Sequence, residues 1–266
     1  MITTDSAPGS PCWLDLGAPD VRTAAAFYGA VLGWSHEPLG EAGDSDGGTF
    51  QKDGRAVAGL GPLTEEGARS AWTLYFAVED ADAAAQAVER AGGSVRVPPT
   101  DLGDWGRMAQ FSDPLGGRFA VWQPGSTSGF ELADAPGALA WTELYTSDAA
   151  ASKEFYGGLF GWRYSAMDLP GGGGAYSLIT PAGLPEERMQ GGVMELPKEN
   201  LALADGRPYW HPVFGVEDCD AAVAQVTRNG GGVQMGPVDA EGVGRLAVCL
   251  DPAGADFVLL TPVMAG

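Results

Sequence analysis

Two carboxylates stand beside tryptophans at a spacing that suits proton transfer. Asp15 follows Trp13 by two residues, and Glu143 follows Trp141 by two. Both pairs lie in short segments of alternating side chains, so a β-strand presents indole and carboxylate on one face. A carboxyl buried against an indole is desolvated; its pKa rises and it serves as a general acid or base. The plainer alternative is a strand-end carboxylate that caps nearby backbone or pairs with Arg107 or Arg245, because structural ion pairs take such positions too. His211 is the third catalytic candidate. Its imidazole suits proton movement near neutral pH or a hydrogen bond to a phenol or carbonyl. Equally, it satisfies a backbone carbonyl at the start of a strand.

Other chemistries find no support. His36 and His211 are the only histidines, and the segment Gly125–Gly129 has Thr127 at its centre where a nucleophile elbow needs serine. No Gly-x-Gly-x-x-Gly opens a helix after a strand, and no zinc signature is present. Gly171–Gly174 has no lysine after it and reads as a hairpin turn. Cys12, Cys219 and Cys249 are scattered, and Cys219 between Asp218 and Asp220 is placed against thiolate formation. Eight tryptophans are many for 266 residues. Trp34 and Trp162 read as core, whereas Trp13, Trp141 and Trp122 suit pocket walls that stack on a flat aromatic or polyketide-like ligand.

The elements that position these residues are written in an internal repeat. Trp13, Asp15, Asp20, Phe27-Tyr28-Gly29 and Gly33-Trp34 return as Trp141, Glu143, Asp148, Phe155-Tyr156-Gly157 and Gly161-Trp162, at a constant shift of 128. A second series, from Trp72 and Phe76 through Asp113-Pro114 and Phe119, returns at a shift of 138 as Trp210, Phe214, Asp251-Pro252 and Phe257. The order is therefore A-B-A′-B′. Within A, Pro11–Leu16 reads as a strand, Asp20 as an N-cap, and Ala24, Phe27, Tyr28, Val31 and Leu32 as one helical stripe closed by Gly33. Three short strands follow. B repeats the order with a strand over Trp72–Val78, a helix over Asp80–Ala91 and strands over 95–97, 106–112 and 118–123. The Gly/Ser/Thr/Pro-rich stretch 126–137 reads as a linker between domains 1–125 and 138–266.

Strand–helix–strand–strand–strand, four times, with Asp-to-Phe-Tyr-to-Gly-Trp after each A strand and Asp-Pro-x-Gly before each final B strand, resembles the vicinal oxygen chelate superfamily. That family comprises glyoxalases, bleomycin-resistance proteins and extradiol dioxygenases, and the tandem form is most similar to its actinobacterial members. The resemblance covers nearly the whole chain outside the linker and the ends. It implies an α+β fold in which four βαβββ units form two tandem glyoxalase/bleomycin-resistance-like domains, with mixed sheets curled into cups around a small ligand. It also implies where metal ligands would sit: Trp13 and Trp141 on the A strands, Thr73 and His211 on the B strands, and Ala120 and Val258 on the last strands. Only His211 is a donor of the usual kind, so no metal and no cofactor is expected. A metal held by Glu143 plus His211 is the weakest alternative. Thr73 joins Trp13, Trp141 and Trp122 as a ligand-facing candidate.

Composition bounds the partners. A net charge of -20 repels phosphate backbones and anionic lipid, which argues against nucleic acid and membrane surfaces. The odd cysteine count, the absence of a secretory signal at Met1–Asp5 and the lack of any long apolar run suggest a reduced, cytoplasmic chain. Twelve arginines against three lysines fit a high-GC, actinobacterial coding bias. The expected partner is a small molecule, and the chain a monomer or homodimer. Two functions compete. One is a metal-independent binder of an apolar or aromatic molecule such as an antibiotic or secondary metabolite. The other is an isomerase, hydrolase or lyase using Asp15, Glu143 or His211. Metal-dependent glyoxalase or dioxygenase activity stands third.

Overall fold

The computed structural model describes residues 1–40, 47–63, 69–168 and 175–263; the Gly171–Gly174 turn lies outside the described residues. Four βαβββ modules follow one another. The first is β1 (Pro11–Ala18), α1 (Val21–Leu32), β2 (Ser35–Pro38), β3 (Gly48–Lys52) and β4 (Arg55–Pro62). The second is β5 (Ala71–Ala77), α2 (Ala81–Arg90), β6 (Ser94–Asp101), β7 (Gly106–Ser112) and β8 (Arg118–Pro124). The third is β9 (Leu139–Thr146), α3 (Ala149–Phe160), β10 (Arg163–Asp168), β11 (Ala175–Thr180) and β12 (Gly191–Glu195). The fourth is β13 (Tyr209–Gly215), α4 (Cys219–Arg228), β14 (Gly232–Ala240), β15 (Gly244–Leu250) and β16 (Asp256–Pro262).

Each helix begins for the same local reason. Asp20, Asp80, Asp148 and Asp218 have extended backbones, and their carboxylates accept N–H groups of the first turn that have no intrahelical partner. Gly33 and Gly161 close α1 and α3 in the left-handed region, at φ 70° and 67°. The strands form two open, mixed eight-stranded sheets, ordered β2-β3-β4-β1-β5-β8-β7-β6 and β10-β11-β12-β9-β13-β16-β15-β14. In both, the first strand of a module runs parallel to its last, β1 with β4, β5 with β8, β9 with β12 and β13 with β16, while the hairpins between are antiparallel. A crossover through the helix is what permits those parallel pairs.

By compactness the chain divides into two units that draw on different stretches of sequence. One holds Met1–Trp13, Leu74–Gly129 and Trp141–Trp210; the other holds Leu14–Thr73, Phe130–Ala140 and His211–Gly266. The repeated motifs build the core of each. In the first, the Tyr156 hydroxyl accepts the Trp210 indole N–H at 3.0 Å and donates to Asp113 at 3.0 Å. In the second, Tyr28 accepts from Trp72 at 3.0 Å and donates to Asp251 at 3.4 Å. Each aspartate also accepts two backbone N–H groups of its own Asp-Pro turn. Burial pushes both carboxyls above the usual range, and the donated hydrogen bonds oppose that rise. The motifs Phe-Tyr-Gly and Asp-Pro-x-Gly are thus two ends of one buried polar bridge.

The stretch read as a linker is packed at its far end. Phe130 and Leu132 are buried, Glu131 exchanges hydrogen bonds with Ala56, and the Trp34 indole donates to the Gly137 carbonyl, all within the second unit. Trp34 and Trp162 are both core side chains. Among the described residues no helix is long and apolar enough to cross a membrane.

Candidate functional site

The first strands of the A-type modules alternate cleanly. On β1, Cys12, Leu14, Leu16 and Ala18 are buried, whereas Trp13, Asp15 and Gly17 share the half-exposed face. On β9, Thr142, Leu144 and Thr146 are buried, and Trp141, Glu143 and Tyr145 share the half-exposed face. Period-two alternation therefore delivers an indole and a carboxylate to one side of each strand.

Glu143 does not stand alone. Tyr176 on β11 donates its hydroxyl to one carboxylate oxygen at 2.7 Å, and the Trp141 indole N–H donates to that same hydroxyl at 2.9 Å. Tyr145 reaches the other oxygen at 3.4 Å, and its ring meets Tyr209 edge-on at 5.6 Å between centroids. A missing side chain makes this possible. Gly192 on β12 lies directly between Leu178 of β11 and Glu143 of β9, and a Cβ there would overlap the Tyr176 ring. Tyr176 crosses that gap diagonally to its carboxylate. Burial first, and the Glu143 charge second, hold the Tyr176 hydroxyl far above its ordinary pKa, so it stays a proton donor. Chemically this is a phenol seated between an indole donor and a carboxylate acceptor.

Around Asp15 the same positions are small. Asp15 pairs in register with Gly59, and Gly17 with Gly61. Among the described residues, a Cβ on Gly61 would meet nothing within 4 Å, and one on Gly17 would meet the Leu63 methyl at 2.9 Å. The two arginines considered as carboxylate partners have strong attachments elsewhere: Arg107 to Asp82 and Asp101, and Arg245 to Asp220 and Asp239.

On the B-type strands, Thr73 is half-buried. Trp122 is buried with Cys12, Tyr75, Ala77 and Ala120, with Trp13 and Met108 packed against that cluster, and its indole donates to the Thr127 carbonyl at 3.0 Å. Its ring also lies against Gly106, where a Cβ would strike it. His211 is fully buried, and its Nδ1 lies 3.1 Å from the Asp256 carboxylate on the neighbouring strand. The three thiols are buried. Burial raises all of them, Cys219 to about 11 with Asp220 adding to the rise and Cys249 to about 12.

The positions at which the family resemblance places metal ligands do not fit a divalent cation. In the first half they hold the Trp13 indole, the Thr73 hydroxyl and the buried methyl of Ala120, which sits opposite Tyr75. In the second half they hold the Trp141 indole, His211 and buried Val258, which sits opposite Val213. A structural or catalytic ion of this kind needs three or four protein donors. Among the described residues, no group of three or more His, Cys, Asp or Glu side chains has metal-holding geometry. Sequence reasoning overlooked Tyr145, Tyr176 and Asp256. Alternation along β9 contains the signal for Tyr145, and alternation back from Val258 the signal for Asp256. Tyr176 carries no local signal, because only the order β11-β12-β9 brings it to Glu143.

Comparison with known proteins agrees with this architecture. Residues 13–122 match the glyoxalase-like domain family, and residues 138–259 match the Glyoxalase/Bleomycin resistance protein/Dioxygenase superfamily. The anthracycline biosynthesis protein DauV of Streptomyces sp. is 37% identical, over 96% of this chain and 94% of that one. The putative glyoxylase CFP32 of Mycobacterium bovis is 35% identical, over 96% of this chain and 95% of that one. Among solved structures, the Mn(II)-bound glyoxalase from Novosphingobium aromaticivorans aligns with a TM-score of 0.62 at 18% identity, over 96% of this chain and 84% of that one. With its modules, sheet order and repeated motifs all in agreement, this chain belongs to the glyoxalase/bleomycin resistance protein/dioxygenase superfamily.

Proposed function

We propose that the chain binds an apolar or aromatic small molecule, of the antibiotic or secondary-metabolite kind, without a metal ion. The ligand-facing surfaces would be the half-exposed face of β1 and, separately, that of β9, with Trp13 and Trp141 as their respective ring-stacking walls and Thr73 and Trp122 as further candidate contacts. One observation carries the reading: indoles, a hydroxyl and alkyl groups, with His211 the one histidine among them, stand where a metal would need three or four donors, beside a face of alternating indole and carboxylate. A concave, largely apolar surface with a few fixed polar groups is what small-ligand binding needs. The net charge of -20 favours neutral or cationic ligands over anionic ones. Similarity to an anthracycline biosynthesis protein supports an aromatic metabolite as ligand. The test is elemental analysis of the protein as isolated, with tryptophan-fluorescence titration by anthraquinone before and after chelation. Saturable quenching that survives chelation, with the probe recovered unchanged, is expected. Stoichiometric manganese, iron, nickel or zinc, or binding abolished by chelator, overturns it.

The second reading is an enzyme of the same fold that uses Asp15, Glu143 or His211 for proton transfer. The close approach of His211 to Asp256 favours it, since a carboxylate beside an imidazole is an arrangement suited to proton transfer. Turnover of a bound compound that is lost in the D15N/E143Q double variant would support it.

A further inference from the structure

The two A-type modules can be laid over one another strand by strand, and the overlay shows where they part. Val193 pairs with Leu144 on one side and Ser177 on the other, and Leu60 pairs with Leu16 and Gly48. Since Leu16 and Leu144 are repeat equivalents, Gly48 corresponds to Ser177 and Gly47 to Tyr176. By the same register Gly59 corresponds to Gly192, Gly61 to Met194 and Gly17 to Tyr145. The carboxylate position is kept, as Asp15 for Glu143, and so is the tryptophan two residues before it on the same strand. What differs is that glycine replaces the three large side chains Tyr145, Tyr176 and Met194, at Gly17, Gly47 and Gly61.

Backbone conformation does not demand these glycines, since Gly17, Gly47 and Gly61 are absent from the positive-φ residues of the chain. Among the described residues, a Cβ on Gly61 would meet nothing within 4 Å, and the nearest atom to one on Gly47 is the Leu60 carbonyl oxygen at 3.4 Å. Leu63, leaning over Gly17, supplies an apolar edge. The third module shows what that arrangement of groups holds when it is filled: a phenol, its hydroxyl donated to the carboxylate at 2.7 Å.

We propose that the first module takes from its ligand what the third module takes from Tyr176: a planar phenol, its hydroxyl donated to Asp15 in the space that Gly47 leaves. This rests on the binding function proposed above and narrows its ligand class to hydroxylated aromatics. A carboxylate offers about four acceptor sites, so the ligand hydroxyl adds to whatever partners Asp15 already has. A hydroxyl-to-carboxylate bond is charge-assisted and short, which makes it a strong discriminator between a phenol and its ether. In the third module the Tyr176 ring already fills the corresponding position, so this phenol-binding capacity belongs to the first.

The full chain would be titrated with 2-naphthol and with 2-methoxynaphthalene, its methyl ether, by calorimetry. The naphthol is expected to bind at one site per chain and the ether about tenfold or more weaker. D15N should weaken the naphthol by about tenfold and leave the ether unchanged. G47Y, which would install the phenol in place, should abolish naphthol binding with the thermal transition retained; if G47Y fails to fold, the near-isosteric D15N carries the test. Equal affinity for naphthol and ether, or a folded G47Y that binds like the parent, overturns the phenol inference and leaves aromatic binding standing. If neither compound binds, both readings fall.

Discussion

Tyr156 is the residue on which one core turns. Its hydroxyl lies between the Trp210 N–H and the Asp113 carboxylate, at 3.0 Å from each, with all three side chains buried. Phenylalanine would keep the ring and its stacking on Trp162, at 5.6 Å between centroids, but strand one buried donor and one buried acceptor. Leaving such groups unsatisfied costs about 1–3 kcal/mol. Y156F should therefore lose stability on that order in urea unfolding, and Y28F less, because the Tyr28–Asp251 contact is longer at 3.4 Å. A loss no larger than that of an exposed substitution, about 0.5 kcal/mol or less, would mean that the bridge is not what holds the motifs together. At the same scale, Glu143 accepts the Tyr176 hydroxyl, whereas the module holding Asp15 has glycine in place of both tyrosines.

At the level of elements, a strand's small residue decides what its neighbour can do. Gly192 on β12 is small so that Tyr176 on β11 can pass across it, while a Cβ on Gly61 of β4 would meet none of the described residues within 4 Å. The same substitution should then have opposite consequences at the two sites. Gly192→Ala must displace the Tyr176 ring and lose its hydrogen bond, a cost of about 1–3 kcal/mol typical of overpacking. Gly61→Ala should change stability by about 0.5 kcal/mol or less, as substitutions away from packed features do. Paired thermal melts of the two variants measure this directly, and equal losses would show that Gly192 is not the gap through which the phenol reaches Glu143. The four aspartate caps work at this scale as well: each fixes where a helix begins, and hence where the strand before it must end.

For the whole molecule, the compact units draw on both halves of the sequence. Tyr28 completes its bridge on Asp251, 223 residues away, and Tyr156 on Asp113, 43 residues away. A cut at residue 125 separates each tyrosine from its aspartate. Fragment 1–125 expressed alone is therefore expected to lack a cooperative monomeric transition, and mixing it with fragment 126–266 should restore one. Calorimetry with sedimentation velocity checks this; a fragment that melts cooperatively as a monomer would show that its own modules suffice. Packing of 130–140 into the second unit gives the same cut a second cost, since Phe130 and Leu132 would lose their burial.

The sequence alone determined whatever depends on chain neighbours. The βαβββ order, the aspartate caps, the closing glycines at Gly33 and Gly161, and the shared face of Trp141 and Glu143 all follow from periodicity and capping within a dozen residues. The repeat supplied the number of modules, and its motifs the family. Only the tertiary structure decided who meets whom. Tyr176 reaches Glu143 because β12 lies between their strands with a glycine at the crossing; His211 meets Asp256 because β13 and β16 run parallel in that register; and Gly47, not Gly48, is the counterpart of Tyr176 because strand pairing, not the 128-residue arithmetic, fixes equivalence once loops differ in length. Alternation and caps are settled by the bonds along the chain. Which carboxylate acquires which partner is settled by strand order and side-chain volume, which no local stretch of sequence encodes.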